Sequence, residues 1–539
     1  MSTSVEVTAA DPTAYDATVR ELVADGVASR IGRQDPTLWG PDAEDEASRR
    51  LAWVGLPETS RPLVEQVTAL REELAGRGLD RVVLCGMGGS SLAPEVICAS
   101  HGVPLVVVDS SHPDFVRTAT AERPEETVVV VSSKSGGTVE TDSQLRAFEQ
   151  AFADAGLEAA GRIVVVTDPG SPLAEQATGK GYRVFEADPD VGGRYSALTA
   201  FGLVPSGLAG ADIATLLDEA AGAREVLEAD SVDNPALRLG GLLAAAALAG
   251  SDKVVLADRG SSHAGLGDWA EQLLAESTGK GGVGLLPVVV EDAEAPDVTD
   301  PVPDSVLVTH GLRPGVAGGP GWSAAVDAAL GAQLLLWEHA TAVAGRVMAI
   351  NPFDQPDVES AKAAAREMLE GTAPAQRPAF TEGDVAVHAS GAWFPERVDS
   401  VAGAVASLLE QVVPDRGYLA VHAYLDRHRD ARLAEVRQPL VHHLRRPVTF
   451  GWGPRFLHST GQYHKGGPPT GAFLQVTGAI EEDLPVPGRD FTFGEFITAQ
   501  AVGDATVLAD EHHRPVLRLH LATPAAVDAV LAAVREALG

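Results

Sequence analysis

The segment Val128–Thr141, VVVVSSKSGGTVET, passes from four valines to a loop of serines, a lysine and glycines, and then to a polar stretch that can open a helix. This order predicts a strand, a Gly-rich loop and a helix. Backbone N–H groups, hydroxyls and a helix N-terminus would then surround one small volume, which suits an anion such as phosphate. Because serine and glycine are also common in ordinary strand-to-helix turns, a plain turn is the alternative for this segment alone.

The Val-rich run is one of five that alternate with helical patterns between residues 81 and 188. The five runs are RVVLC (81–85), LVVVD (105–109), TVVVVSS (127–133), RIVVVTD (162–168) and YRVFEAD (182–188). Continuous apolar runs are typical of strands that are buried on both faces, so a parallel sheet with helices on each side is predicted. Ligands of such sheets bind beyond the carboxyl ends of the strands. The loop GMGGS (86–90) should therefore lie beside the loop of the opening segment.

The chain is predicted to divide into three parts. Residues 1–75 show apolar residues at helical spacing and are predicted to form an N-terminal helical arm. Residues 76–225 form the first α/β domain, and residues 226–539 form a second one with an insertion near 371–410. Its strand candidates are KVVLA (253–257), LLPVVV (285–290), SVLVT (305–309), DVAVH (384–388), YLAVHAY (418–424), PVTFGW (447–452), AFLQVT (472–477) and PVLRLHL (515–521). The expected fold class is α/β, with two three-layer α/β/α domains and parallel sheets.

Composition excludes several classes of function. The chain has 539 residues and a net charge of −34, which argues against nucleic acid and anionic membranes as partners. The apolar stretch 324–350 contains charged residues, so we expect a buried core helix there and no membrane span. Cys85 and Cys98 are expected to be buried free thiols. Because the N-terminus shows no signal peptide, a cytoplasmic location is predicted.

Neither a cofactor nor a metal is predicted. The loop that begins at Gly86 has glycines at 86, 88 and 89 but serine at 91, where the dinucleotide fingerprint requires a third glycine. A nicotinamide site is therefore disfavoured. No cluster of Cys and His has the spacing of a zinc site.

Two polar segments in the middle of the chain carry candidate catalytic residues. Arg194 follows two glycines in VGGRYSALTAFG (191–202), where it could present its guanidinium to an oxyanion. Glu276 lies in the last predicted turn of a helix that ends at Thr278-Gly279, where the macrodipole disfavours a charged carboxylate and so suits a general base. The alternatives are a structural arginine in a turn and a solvated glutamate.

Two later segments add further candidates. In INPFDQPDVESAK (350–362), two prolines hold a rigid turn and Asp357 could cap a helix that carries Lys362. In GPRFLHSTGQYHKGGPPTG (453–471), His458 follows a short strand, and its imidazole could act as an acid or a base. A capping aspartate with a surface lysine, and a structural histidine, are the alternatives.

Six motifs together resemble the glucose-6-phosphate isomerase (phosphoglucose isomerase) family. They are GMGGSSL, SSKSGGTVET, VGGRYS, AESTGK, NPFDQPDVESAK and LHSTGQ, and they extend from residue 86 into the segment that ends at residue 471. The resemblance implies two sugar-isomerase (SIS) domains, a hexose 6-phosphate substrate and a homodimer. It also implies no cofactor, and isomerisation through ring opening and a cis-enediolate.

The resemblance also implies roles for individual residues. Phosphate binding would fall to Ser133, Lys134, Ser135 and Thr138, and the substrate site would also include Gly89, Ser90 and Gln355. Catalysis would involve Glu276 as the base, Arg194 beside the enediolate, Lys362 near the ring oxygen, and His458 as the ring-opening residue, contributed by the neighbouring subunit.

The order of the motifs departs from the common family pattern. The NPFDQ segment with its lysine usually follows the histidine segment, whereas here it precedes it. The second domain is therefore expected to be permuted. This order resembles the isomerase portion fused to transaldolase in some bacteria, and the chain length leaves no room for a transaldolase barrel.

Three other functions are compatible with parts of this pattern. A dual phosphoglucose/phosphomannose isomerase would use the same chemistry, because discrimination at C2 depends on small differences in the pocket. A non-catalytic SIS sugar-phosphate sensor would need the phosphate loop but not Glu276, Arg194 and His458 together. An amidotransferase-type isomerase is disfavoured, since no N-terminal nucleophilic cysteine is present.

Overall fold

Three sheets organise the described part of the chain, and each is built from the apolar runs of the sequence. The structure is a computed structural model, and it describes residues 3–311, 321–369, 377–390 and 393–539. The N-terminal arm contains β1 (Ser4–Thr8), α1 (Pro12–Ala24), α2 (Val27–Gly32), α3 (Pro41–Ala47), α4 (Leu56–Thr59) and α5 (Arg61–Ala75).

The first unit is a five-stranded parallel sheet in the order β3-β2-β4-β5-β6. Its elements are β2 (Arg81–Gly86), α6 (Leu92–His101), β3 (Val106–Val108), α7 (Pro113–Ala121), β4 (Thr127–Ser132), α8 (Val139–Asp154), β5 (Ile163–Thr167), α9 (Pro172–Gly179), β6 (Arg183–Glu186), α10 (Ala200–Ala209) and α11 (Ile213–Leu227). Alternate residues of β4 enter different hydrophobic cores, Val128 and Val130 on one face and Val129 and Val131 on the other. The sheet is therefore covered on both faces, as the continuous apolar runs predict.

The second unit is a five-stranded sheet in the order β1-β10-β9-β7-β8. Its elements after the arm are α12 (Pro235–Leu248), β7 (Lys253–Asp258), α13 (Leu266–Thr278), β8 (Leu286–Val289), α14 (Pro296–Thr299), β9 (Ser305–His310), β10 (Trp322–Asp327) and α15 (Leu330–Val347). The helix α16 (Glu359–Leu369) follows. The first and second units share one hydrophobic core, which contains Val130 of β4 and Val254 of β7.

The predicted second domain, residues 226–539, contains two sheets rather than one. The third unit is a six-stranded sheet in the order β11-β12-β16-β15-β13-β14. Its elements are β11 (Phe380–Glu382), β12 (Val385–Ser390), α17 (Val401–Leu409), β13 (Tyr418–Tyr424), α18 (Arg437–Leu444), β14 (Val448–Trp452), α19 (Gly461–Gly466), β15 (Gly471–Gly478), α20 (Phe493–Thr506), β16 (Val516–Leu521) and α21 (Val527–Leu538). The described part of the predicted insertion, near 371–410, supplies β11 and β12 to this sheet, and residues 370–376 and 391–392 lie outside the described residues.

Three strands were not predicted from the sequence: β1, β10 and the three-residue β11. The strand β1 lies in the predicted helical arm and pairs antiparallel with β10, where Val5 opposes Val326. The strand β10 lies across the start of the stretch that we predicted to be one buried helix. Its sequence WSAAVD has little β-branched character, so its strand conformation comes from pairing with β9 and β1. The helix itself begins later, at Leu330.

The N-terminal helices are confirmed, and so is the α/β class with parallel sheets. Across the described ranges, no helix has both the length and the apolar character that crossing a membrane requires. The long helix α15 is buried along most of its length between the first and second units.

Candidate active site

A pocket of about 440 Å³ lies where loops of the three units meet. The first unit contributes the loops after β2, β4 and β6, the second contributes the end of α13, and the third contributes the loop after β14. The pairing of Gly86 with Ser132 in neighbouring strands starts the first two loops at one edge of the sheet, as predicted. The predicted site residues that line the pocket are Gly89, Ser90, Ser133, Lys134, Ser135, Thr138, Arg194, Glu276, Gln355 and His458.

The loop after β4 is shaped like an anion site. Ser133 donates its hydroxyl hydrogen to Thr138 at 3.1 Å, and the backbone N–H of Gly137 donates to the Ser135 hydroxyl at 3.2 Å. Thr138 is the N-cap of α8, yet its side chain makes no capping hydrogen bond. The first N–H groups of this long helix therefore remain available to a ligand. Gly136 has φ +68°, and a Cβ there would lie 2.7 Å from Leu173 Cβ, so the turn requires glycine.

Lys134 lies in this loop but is already paired. Its Nζ is 2.7 Å from Asp168 Oδ2 and donates to the carbonyl oxygens of Asp188 and Pro189. The ammonium therefore ties the loop to the segments after β5 and β6. The charge of Lys134 is largely balanced by Asp168, so hydroxyls and backbone N–H groups are the main donors that this loop offers to the pocket.

The loop after β2 touches the loop that carries Arg194. A Cβ built on Gly89 would lie 2.0 Å from the Gly193 carbonyl oxygen and 3.2 Å from the Arg194 nitrogen. Both neighbours are backbone atoms and cannot rotate away. The close approach of these two Gly-rich loops explains the glycine at position 89.

We expect Gly89→Ala to separate the two loops. Overpacking of this kind costs about 1–3 kcal/mol, and here it also moves Arg194. Thermal unfolding should therefore occur at a lower temperature, and ligand-binding measurements should show weaker binding of a sugar phosphate. The matched control is Gly222→Ala in α11, where a Cβ meets no atom within 4 Å. A Gly89→Ala protein as stable as the control would contradict the steric argument.

Arg194 is 3% exposed and holds three segments together. Its Nε donates to Ser277 Oγ at 2.8 Å, and its Nη1 donates to Gln355 Oε1 at 2.9 Å. Its Nη2 donates to the carbonyl oxygens of Pro352 and Asp354 at 2.8 and 2.9 Å. The guanidinium connects these segments and also places a positive charge at the pocket wall. Arg194 is therefore compatible with both interpretations made from the sequence, a structural arginine and a group that faces an oxyanion.

Glu276 lies in the last turn of α13, as predicted, and its side chain is 15% exposed. Its Oε2 is 3.8 Å from Arg194 Nη1 and accepts a hydrogen bond from Gln272 Nε2 at 3.2 Å. A Cβ on Gly279, at the end of the helix, would lie 2.5 Å from Tyr463 Cα. The helix end that presents the carboxylate is therefore packed directly against α19.

His458 lines the pocket of its own chain, contrary to the expectation that a neighbouring subunit supplies it. Its Nε2 lies 2.9 Å from Glu140 Oε1 at the start of α8, and its carbonyl oxygen accepts from Gln272 Nε2 at 2.9 Å. Gly88, with φ +57°, allows the close approach, since a Cβ there would lie 2.7 Å from the His458 oxygen. Because β14 is inside the third unit of the same chain, no second subunit is needed to bring the imidazole here.

Partly buried ion pairs attach the His458 loop to the first unit. Arg455 Nη1 donates to Glu95 Oε2 at 2.6 Å and to Asp109 Oδ2 at 2.9 Å. Arg427 of the third unit reaches the same two carboxylates at 3.3 and 3.6 Å. Since Arg455 is three residues before His458, these contacts set the position of the imidazole.

The NPFDQ segment is also held at the pocket. Lys280 Nζ donates to the carbonyl oxygens of Asn351 and Asp354 and lies 2.6 Å from Asp354 Oδ1. Burial, then the nearby charge of Arg194, lowers the pKa of Lys280 to about 8. Lys362 lies in α16, but its side chain is outside the described residues, so its role remains a prediction.

Several site residues were missed by sequence reasoning. Gln272 joins the segments of Glu276 and His458, and Gln462 donates to the Gly279 carbonyl oxygen at 2.8 Å and to Asp357 Oδ2 at 2.6 Å. Gln462 and Glu140 lie inside the quoted motifs, so their position in those motifs was the available signal. Gln272 precedes Glu276 by one helical turn, which places both side chains on one face.

The described part of the chain contains no group of three or more His, Cys, Asp or Glu side chains that could hold a metal ion. Cys85 and Cys98 are both buried and free, as predicted. Burial raises the pKa of the Cys98 thiol to about 12.

The chain is similar in sequence to proteins of the phosphoglucose isomerase family. The family model of phosphoglucose isomerase matches residues 57–280, which include the phosphate loop, Arg194 and Glu276. The chain is 30% identical over 384 residues to the glucose-6-phosphate isomerase of Gloeothece citriformis, a match that covers 59% of this chain and 72% of that protein. It is 32% identical over 250 residues to the probable glucose-6-phosphate isomerase of Natronomonas pharaonis, where it covers 46% of this chain and 58% of the relative.

A solved structure supports the same fold. The crystal structure of a glucose-6-phosphate isomerase from Chlamydia trachomatis superimposes with a TM-score of 0.54 and 21% identity. The superposition covers 67% of this chain and 86% of that protein.

Proposed function

The chain belongs to the phosphoglucose isomerase family, and on that premise we propose that it interconverts glucose 6-phosphate and fructose 6-phosphate. One observation carries the proposal: an anion loop, a carboxylate, a guanidinium and an imidazole line the same 440 Å³ pocket. An aldose–ketose isomerisation needs these groups, one to hold the phosphate, one to move a proton, one to stabilise negative charge and one to open the ring.

The phosphate is bound at the loop after β4 in this proposal. Hydroxyls of Ser133, Ser135 and Thr138 and the first N–H groups of α8 donate to its oxygens. The anchored phosphate places the other end of the sugar toward Glu276 and His458. Gly89 and Ser90 form the facing wall, and Gln355 is oriented by Arg194.

Ring opening and proton transfer follow at the other end. His458 gives a proton to the ring oxygen as the bond from that oxygen to C1 breaks and the C1 hydroxyl loses its proton to solvent, and Lys362 assists near the ring oxygen. Glu276 removes the proton from C2, and Arg194 stabilises the negative enediolate oxygen. The hydroxyl proton of O2 passes to O1 and Glu276 returns the carbon-bound proton to C1, which gives the ketose, so no redox cofactor enters the reaction.

The direct test is formation of fructose 6-phosphate from glucose 6-phosphate by the purified protein, followed by NMR. A substrate that carries deuterium at C2 should lose part of the label to water, because the base exchanges with solvent. Binding of sugar phosphate without turnover would favour the non-catalytic SIS sensor instead. Turnover of mannose 6-phosphate in the same assay would identify the dual phosphoglucose/phosphomannose isomerase.

We expect His458→Ala to lower kcat/KM for glucose 6-phosphate by about 10²-fold, within the range of general acid catalysis. The loss should be much smaller with an analogue that lacks the C4 and C5 hydroxyls, since that analogue cannot close a ring. Steady-state kinetics with both substrates measure the difference. His443→Ala in α18 is the matched control, because that histidine is exposed and does not line the pocket. Equal losses with both substrates would refute the ring-opening role.

The finer features of the family resemblance are proposed as well. We propose a cytoplasmic homodimer in which each chain carries its own His458, and light scattering should report twice the chain mass.

We also propose that the order of segments matches the permuted isomerase portion found fused to transaldolase. The supporting observation is that the NPFDQ segment precedes His458 in the chain while both line one pocket. The domain limits 1–75, 76–225 and 226–539 stay a prediction, which limited proteolysis can test.

A further inference from the structure

Gln500 of α20 contacts the carboxylate that holds His458. Its Nε2 donates to Glu140 Oε1 at 2.7 Å, and its Oε1 accepts the Ser111 hydroxyl hydrogen at 2.5 Å. Gln500 is 4% exposed and Ser111 is fully buried. The same oxygen of Glu140 also contacts His458 Nε2 at 2.9 Å. A continuous series of hydrogen bonds therefore runs from Ser111 through Gln500 and Glu140 to His458, and it connects the first and third units.

The hydrogen bonds determine which way the amide of Gln500 points. With the amide reversed, its carbonyl oxygen would face the Glu140 carboxylate, and two acceptors would lie 2.7 Å apart. The amide N–H instead donates to the carboxylate, which favours the charged form of a buried acid. Ser111 holds the other end of the amide, so the side chain cannot turn without losing both contacts.

The Glu140 carboxylate accepts the Nε2 hydrogen of His458 and so fixes the orientation of the imidazole ring. Since Nε2 is engaged by Glu140, Nδ1 is the nitrogen left for a ligand. The hydrogen bonds behind the imidazole therefore control its placement.

We propose that Gln500, anchored by Ser111, is a positioning residue for ring opening that keeps Glu140 charged and directed at His458. This inference rests on the proposed function. A cavity of about 250 Å³ lies beside Gln500, Glu140 and His458, so a truncated side chain would admit water to the carboxylate. Leucine is therefore the right replacement, because it fills most of the volume and removes only the amide.

The test is Gln500→Leu in the full chain, with kinetics measured across pH. We expect kcat/KM for glucose 6-phosphate to fall about tenfold, as for a slightly misplaced catalytic group. The acidic limb of the pH profile should move to higher pH, because Glu140 loses a donor to its charged form. Two other measurements should stay unchanged. They are the binding of glucitol 6-phosphate, which has no ring to open, and the turnover of the analogue without C4 and C5 hydroxyls.

Two further variants keep the inference falsifiable. Ser111→Ala should move the acidic limb in the same direction as Gln500→Leu but by less. Because it removes only one hydroxyl, it remains a test if Gln500→Leu fails to fold. Gln475→Leu is the matched control, because Gln475 is a fully buried glutamine of the same unit that contacts Asp504 instead. It should lower the unfolding temperature without moving the pH profile.

The outcomes separate this inference from the proposed function. A wild-type pH profile in both Gln500→Leu and Ser111→Ala would overturn the positioning role, and so would equal losses on the cyclic and open-chain substrates. A wild-type protein that turns over neither substrate would instead overturn the proposed function.

Discussion

Glu276→Gln should abolish isomerisation, with kcat lower by about 10³-fold or more, because an amide cannot take the proton from C2. The exchange of the C2 proton with solvent should disappear together with product formation. Ring opening should continue, since His458 lies on another unit and keeps its contact with Glu140. We therefore expect the variant to catalyse anomerisation of glucose 6-phosphate, which NMR exchange measures, while fructose 6-phosphate does not form.

The fold provides a matched control for this variant. Glu271 lies on the same helix, five residues earlier, and faces a different pocket beside Asp268 and Arg455. Burial, then the charge of Asp268, raises the pKa of Glu271 to about 8, so glutamine resembles its state at pH 7. Glu271→Gln should keep full activity. Substantial turnover by Glu276→Gln would remove the base from the proposal, and weak binding of glucitol 6-phosphate would show that the pocket itself had changed.

Arg194→Met should lower both activity and stability. The loss of a preorganised positive group beside the enediolate typically costs about 10²–10³-fold in kcat. The buried carbonyl oxygens of Pro352 and Asp354 also lose their donor, which costs about 1–3 kcal/mol for each group left unsatisfied. We expect a lower unfolding temperature and a much lower kcat at a temperature where the protein remains folded.

Two control variants separate these effects. Arg437→Met removes another buried arginine, one that pairs with Glu291 and Asp297 far from the pocket. It should lower the unfolding temperature while kcat stays near the wild-type value. Arg194→Lys keeps the charge but cannot reach all four acceptors of the guanidinium, so it should restore part of the activity and little of the stability. If Arg194→Met loses stability but keeps its kcat, the arginine is only a structural tie.

The sequence by itself determined the first sheet and the loops at its edge. Four of its five strands are continuous Val-rich runs, and the loops after β2 and β4 are rich in glycine and serine, so local composition carries most of the information. Parallel strands that end at a common edge predicted that the loops after β2 and β4 lie side by side, whereas the resemblance placed Arg194 and Glu276 with them. Their catalytic roles came from the resemblance and are still proposals.

Only the tertiary structure decided how the rest of the chain is arranged. The strand β1 is five residues in a helical context, and its conformation depends on pairing with β10, more than 300 residues away. The existence of a third sheet depends on which strands pair, which apolar runs do not encode. The placement of His458 in its own chain depends on Arg455 meeting Glu95 and Asp109, a contact between units that no local pattern predicts. Local composition specifies strands and loops, whereas contacts between distant residues specify which loops share a pocket.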